Sequence, residues 1–446
     1  MEPSPLDQEA RRGVKHVFRT LRYRNYRLFF SGQLVSLIGT WMQQVALTWL
    51  VYRLTNSPFL LGVVGFVGQM PMFLLGPFAG VLADRANRHR IIILTQTLSM
   101  VQATVLAILT LTGNITVAHI IILSIFIGLV NAFDMPTRQS FLLDMIESRE
   151  DLPNAIALNS SMFNGARLLG PSIAGLVIAA IGEGLCFLLN AVSYVAVIAA
   201  LLAMKVTQRH LKNRKPRKVL EGFTEGFHYA FGFSPIRNIL LLLALVSMMG
   251  MPYAVLMPVY ARDILHGGPH TLGFLMGATG VGALAGALSL ASRKSVVGLG
   301  RWIPLAAGTF GVGLIAFSFS RTLWLSMILL FVVGAGMMVQ MASSNTIIQT
   351  IADDDKRGRV MSFYTMSFVG MAPLGSLFAG TLADLIGAPV TLLISGIAVV
   401  LGAMVFANQL PALRKEVRPI YIRLGIVSEV SSGLQAASEL TIPPED

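Results

Sequence analysis

Asp134 and Arg138 are opposite charges four residues apart inside an otherwise apolar stretch of this 446-residue chain. That spacing puts both on one face of a helix, within reach of each other. Pro136 between them removes a backbone donor and can kink the helix. Two roles fit the pair. A carboxyl raised by burial and lowered by a guanidinium can exchange a proton as its surroundings open and close. The same pair can instead be a fixed brace near a helix end that never titrates. Asp134→Asn abolishes proton coupling in the first case and spares it in the second. Arg167 and Asp384 also lie in apolar runs, where charge is costly and usually functional. Arg167 is expected to pair with an acidic or carbonyl group, with substrate binding as the alternative.

The elements that must hold these charges are membrane helices. Hydrophobic residues make up 54% of the chain and charged residues 13%, with a mean hydropathy of +0.69, which excludes an ordinary soluble domain. A helix crossing lipid needs about 20 mostly apolar residues. Twelve stretches qualify: 28–52, 59–83, 91–112, 117–140, 160–181, 185–205, 236–261, 271–292, 302–320, 322–349, 360–386 and 389–410. The period-2 alternation of a lipid-facing barrel is absent. The fold class is therefore all-α membrane protein.

Residues n and n+205 match at Phe163/Phe368, Gly165/Gly370, Leu169/Leu374, Gly170/Gly375, Ala174/Ala379, Gly175/Gly380, Ile181/Ile386 and Gly182/Gly387. Two six-helix halves in the same orientation follow, with a substrate site expected where they meet. The divisions are an N-terminal segment 1–27, a first half 28–205, a solvated linker 206–235, a second half 236–410 and a partly disordered tail 411–446.

The net charge of +12 does not gather on one face, so nucleic acid is not an expected partner. Basic residues fall in alternate loops instead. Segments on one side hold 28 Lys and Arg, and those on the other hold Arg53, Arg262 and Arg321, which places both termini in the cytoplasm. The single Cys186 allows no intrachain disulfide, and the seven histidines form no zinc pattern. Glycine rows such as Gly273, Gly277 and Gly280 read as close helix packing, and none carries a phosphate-loop Lys-Ser/Thr. No bound cofactor is expected. An ion gradient, here the proton gradient, is the expected drive.

The string Gly80-Val-Leu-Ala-Asp84-Arg85-Ala-Asn87-Arg88-His-Arg90 resembles the loop signature of the major facilitator superfamily, with Asn87 where glycine is usual. The resemblance implies a cytoplasmic gate built from Gly80, Asp84, Arg85, Arg88 and Arg90. The corresponding Ser292-Arg293-Lys294 is degenerate, so the gate is expected to be asymmetric. Asn131-Ala-Phe-Asp134-Met-Pro136-Thr-Arg138, Leu152-Pro-Asn-Ala-Ile-Ala-Leu-Asn-Ser160 and Arg357-Gly-Arg359-Val-Met-Ser362 resemble the branch of enterobactin exporters, macrolide pumps and transmembrane secretion effectors. Gly170-Pro171-Ser-Ile-Ala174-Gly175 is similar to the antiporter motif of drug exporters.

The resemblance implies a central cavity lined by helices 1, 4, 7 and 10. The candidates there are Gln33, Thr40, Trp41, Gln44, Asn131, Met251, Tyr253, Met257, Gln340, Ser344 and Asn345. Amides, hydroxyls, aromatics and methionines suit a bulky amphiphile held loosely; the same polar groups can also be glue between helices. The expected function is alternating-access, proton-coupled export of a siderophore, drug or similar small amphiphile from the bacterial inner membrane, by a monomer. Lipid flipping, small-solute import and a non-transporting scaffold or sensor are the alternatives. No residue constellation points to an enzyme.

Overall fold

Lipid offers a peptide backbone no hydrogen-bonding partner but itself, so the apolar stretches fold as helices. The computed structural model describes residues 19–146, 148–205, 219–293 and 295–427, without the side chains of 77, 80–85, 149 and 219–223. The spans are α1 (Arg24–Thr55), α2 (Pro58–Arg85), α3 (Arg88–Leu111), α4 (Val117–Phe141), α5 (152–181), α6 (183–202), α7 (Ser234–Ile264), α8 (Pro269–Ala291), α9 (Leu299–Phe319), α10 (Leu323–Ile351), α11 (Arg357–Ile386) and α12 (Ala388–Arg423). No strand occurs among the described residues. Local chemistry sets several boundaries. Asn87, the departure from the loop signature, caps α3 by accepting the Arg90 N–H at 3.2 Å. Thr116 caps α4 by accepting from His119 N–H at 3.4 Å.

The sequence repeat is also a repeat of backbone shape. Gly182 (φ 82°, ψ 171°) breaks α5 from α6, and its counterpart Gly387 (φ 85°, ψ 152°) separates α11 from α12. Both conformations favour glycine, which has no Cβ to clash. Between the halves, α2 packs on α11 and α5 packs on α8. Helix 2 of each half thus meets helix 5 of the other, the pairing expected of two parallel repeats about an axis along the membrane normal.

Both contacts turn on facing glycines. A Cβ on Gly175 would lie 2.8 Å from the Gly273 Cα, and one on Gly380 would lie 2.6 Å from the Gly62 Cα. Pro269 and Pro58 supply the adjacent backbone oxygens in the same arrangement, at 2.8 and 2.7 Å.

Two boundaries differ from the sequence reading. The last helix does not stop at 410 but runs to Arg423, because Leu413 is buried and Val417, Ile420 and Tyr421 pack on the core. The linker is not wholly a solvated connector. Val219–Gly232 is an amphipathic helix whose Phe227 and Phe231 stack at 4.6 Å and meet Phe363 edge-on, while Glu225 pairs with Arg359 at 2.7 Å. The basic run of the linker, 206–218, and the tail beyond 427 lie outside the described residues.

Candidate transport pathway

Asp134 is 2% exposed and faces α3, within its own half. Its carboxylate accepts from Thr95 Oγ1 at 2.7 Å, from Gln96 Nε2 at 2.9 Å and from the Arg138 guanidinium. Donors surround it, all from α3 and α4. The pair therefore binds two helices of one half to each other. Thr95 and Gln96 were not singled out in the sequence, although a Thr-Gln-Thr run inside an apolar stretch was the available signal.

The cavity candidates divide by exposure. Thr40, Gln44 and Asn131 are exposed, and Trp41, Met251 and Asn345 are half-buried. Gln33, Tyr253, Met257, Gln340 and Ser344 are buried between helices. Thr40 lies 3.3 Å from the Tyr194 hydroxyl, Gln340 reaches Ser344 at 3.5 Å, and Asn345 accepts from Gln349 at 2.5 Å. A more complete amide network lies one residue from the predicted face. Asn190 donates to Gln43 at 2.8 Å, Gln43 to Gln102 at 2.9 Å and Gln102 to the Leu123 carbonyl at 3.4 Å. That chain joins α6, α1, α3 and α4 and is interhelical glue.

At mid-depth, α1 and α5 cross where Gly170 leaves room for Trp41. A Cβ at Gly170 would stand 2.4 Å from the Trp41 Cβ. The Trp41 ring is edge-on to Phe163 at 5.8 Å, and the Arg167 guanidinium lies 5.9 Å from its centroid. The backbone of α7 departs from regular helix: π turns at Val246–Gly250 and Tyr260–Ile264 flank a 3-10 turn at Met251–Ala254, with Pro252 and Pro258 between. Irregular backbone of this kind is tolerated at membrane depth where protein or a cavity surrounds it, and it gathers at functional sites. Of the antiporter-like residues, Gly170 makes the α1 crossing and Gly175 the contact between halves. The Pro171 carbonyl lies 2.9 Å from where a Gly273 Cβ would stand.

The two ends of the bundle differ. The described chain ends, Arg19 and Val427, lie at one, the terminal end; the other is the far end. At the far end the halves are tied to each other. Tyr52 donates to Asp263, Arg262 donates to Asn56 Oδ1 at 2.7 Å, and Asp384 accepts from Ser57 Oγ at 3.2 Å and Phe59 N–H at 3.4 Å. Asp384 is thus an exposed cap on the start of α2, not the buried charge its apolar flanks suggested. It sits in the last turn before Gly387.

At the terminal end the ties among the described side chains fall within each half. Arg88 pairs with Asp144 at 3.3 Å, and Asp151 holds Arg19 at 2.5 Å, Arg22 at 2.6 Å and the Tyr23 hydroxyl at 2.6 Å. In the second half, Asp353 holds Tyr229 at 3.1 Å and Arg423 at 3.4 Å. The Tyr23 hydrogen bond, then Arg19 and Arg22, keep the Asp151 carboxyl below its ordinary range. Of the predicted gate residues, Arg90 is exposed; the side chains of Gly80, Asp84 and Arg85, and all of Lys294, lie outside those described. The side of the bundle also carries an apolar groove of about 340 Å³ between α2 and α4, lined by Phe66, Met70, Leu74, Ile125 and Leu129 among others.

Two parallel six-helix halves, joined helix 2 to helix 5 around a broken seventh helix, define a membrane transporter of the major facilitator class. Within that class, the chain belongs to the transmembrane secretion effector family, whose match runs over residues 16–420. It is a multi-pass membrane transporter and not an enzyme. It is 28% identical over 385 residues to the staphyloferrin A transporter of Staphylococcus aureus, covering 85% of this chain and 95% of the relative. It is 27% identical over 396 residues to the multidrug efflux pump Tap of Mycolicibacterium fortuitum, covering 87% and 96%. Among solved structures, the peptide transporter POT shares the fold with a TM-score of 0.71 at 13% identity, over 88% of this chain and 95% of that one.

Proposed function

We propose that this protein is an alternating-access exporter of amphiphilic small molecules in a bacterial inner membrane, driven by the proton gradient. The observation that carries this reading is the unequal treatment of the two ends among the described side chains: ties between halves at the far end, ties within halves at the terminal end. Such a molecule is open on the terminal side and closes by rocking about the mid-depth contacts. The terminal end carries the basic residues, among them Arg24, Arg88, Arg90, Arg357, Arg359 and Arg423, so it faces the cytoplasm. Two relatives, one named for a siderophore and one for multidrug efflux, support an amphiphilic cargo.

Asp134 acts in this reading as a brace, since the described donors to it, Thr95, Gln96 and Arg138, all come from one half. Inverted vesicles with an acidic lumen test the proposal: adding a transported amphiphile releases protons, and release persists in Asp134→Asn. Loss of release in a folded Asp134→Asn protein would return the coupling role to that carboxylate. No release with any siderophore or drug offered would overturn proton-coupled export.

The apolar groove between α2 and α4 favours a second reading, lipid movement. Proteoliposomes loaded with fluorescent phospholipid decide it. Flipping at rates above protein-free vesicles supports the lipid reading, and rates equal to them dismiss it.

A further inference from the structure

Arg167 has a place but no partner. It lies fifteen residues from Leu152 and fifteen from Gly182, the two ends of α5, so its Cα is about 22 Å along the helix from either. That is mid-depth. An ionised guanidinium there is tolerated when something compensates its charge. Among the described residues, none forms a hydrogen bond or ion pair with Arg167; its contact is the face of Trp41 at 5.9 Å. Of the described carboxylates in the spanning helices, Asp134 is committed to Arg138, Glu183 to Arg53, Asp263 to Tyr52 and Asp384 to Ser57, and Glu416 is exposed near the terminal end of α12. The expected acidic or carbonyl partner is therefore not found among the described residues.

The fold does not require this cation. Around it the two halves repeat each other, with Phe163/Phe368, Gly165/Gly370, Leu169/Leu374 and Gly170/Gly375, yet the counterpart of Arg167 is Ala372. The second half builds the same helix without a charge. Arg167 is also at the junction of the halves. The next residue, Leu168, lies 3.0 Å from where a Gly280 Cβ would stand, and Ser172 similarly approaches Gly277.

We propose that Arg167 is the anchor for an anionic oxygen group, a carboxylate or acidic phenolate, carried by the exported molecule, with Trp41 and Phe163 flanking its apolar part. This rests on the exporter reading above. The guanidinium fork offers paired N–H donors to such a group. The cargo completes the charge balance that the protein leaves open, so the site favours acids over amides and amines of equal shape.

The test uses amphiphiles in shape-matched triplets, aryl-alkanoic acid, its primary amide and the corresponding amine, assayed for uptake into inverted vesicles. The wild type is expected to move the acids about tenfold faster than the amides, the size of one charge-assisted contact. Arg167→Gln is expected to erase that preference, bringing the acid-to-amide uptake ratio from about ten to about one. Arg167→Lys, which keeps the charge but loses the fork, is expected to fall between them, and it serves as the second variant if Arg167→Gln does not fold. Uptake in which amides or amines match the acids, or a preference that survives Arg167→Gln, overturns the anchor and leaves the exporter standing. Uptake of no triplet member is a failure of the exporter reading itself, and the anchor falls with it.

Discussion

The far end and the terminal end of this bundle are built from the same helices and hold them in opposite ways. At the far end a continuous apolar core runs through both halves, from Val45, Leu50 and Tyr52 of α1 to Leu256, Tyr260 and Ala261 of α7. At the terminal end the first half keeps a separate core of its own around Phe29, Ile92, Phe141 and Met162. The polar ties follow the same division. On the alternating-access reading, breaking a tie between halves changes the balance of open and closed states, because only one state contains it. Breaking a tie within a half changes stability, because both states contain it.

The largest expected effect comes from Gly380→Val, which puts side-chain atoms into the 2.6 Å space against the Gly62 Cα. It wedges the far end apart and lowers transport to about a tenth or less, since this contact needs the smallest residue. Labelling of Ser57→Cys by a membrane-impermeant maleimide from outside checks it; the wedge raises reactivity, and unchanged reactivity contradicts far-end closure. Next is Asp134→Asn. Removing one partner of a buried ion pair costs about 3 kcal/mol, so the melting temperature of the detergent-solubilised protein falls while its Ser57→Cys labelling stays at the parent level.

Smaller effects separate the ends further. Tyr52→Phe removes a hydrogen bond worth about 1 kcal/mol, so it raises far-end labelling several-fold with little change in melting. Asp384→Asn, which weakens the cap on α2 in trans, acts in the same direction and less. The smallest effect is on pH. The Asp151 carboxyl is depressed in the folded protein, so its ties to Tyr23, Arg19 and Arg22 contribute fully above the ordinary carboxylate range and are lost as pH falls through the lowered value. Acid should therefore loosen the terminal end first. Hydrogen exchange at residues 19–23 between neutral and acidic pH reads this directly, and exchange that begins instead at the far end would refute the assignment.

Much of the fold was legible because lipid imposes one rule on every backbone. Long apolar runs had to be helices, and matched glycines had to mean matched halves. The conformation of Gly182 and Gly387 was not legible, although their pairing was, since sequence identity carries no dihedral angle. The charged pair on α4 was readable from spacing alone. Its partners Thr95 and Gln96 were not, because they depend on how α3 is rotated against α4, some 38 residues distant in sequence. Asp384 was misread as buried for a related reason: hydropathy reports the neighbours along the chain, whereas exposure depends on where the helix ends. The cavity face of α1 was recognisable as polar, yet the buried network runs through Gln43, one step around the helix from Gln44.

The glycine crossings have a mechanical consequence. Where Gly175 meets Gly273 and Gly62 meets Gly380, main chain faces main chain. On the alternating-access reading proposed above, these points are smooth bearings for the halves, flanked by the Leu168 and Ser172 side chains against Gly280 and Gly277. On that reading their small residues govern how fast the halves swing as well as which position they rest in, so roughening the junction with a single methyl, as in Gly273→Ala, should slow turnover even where the resting position is preserved.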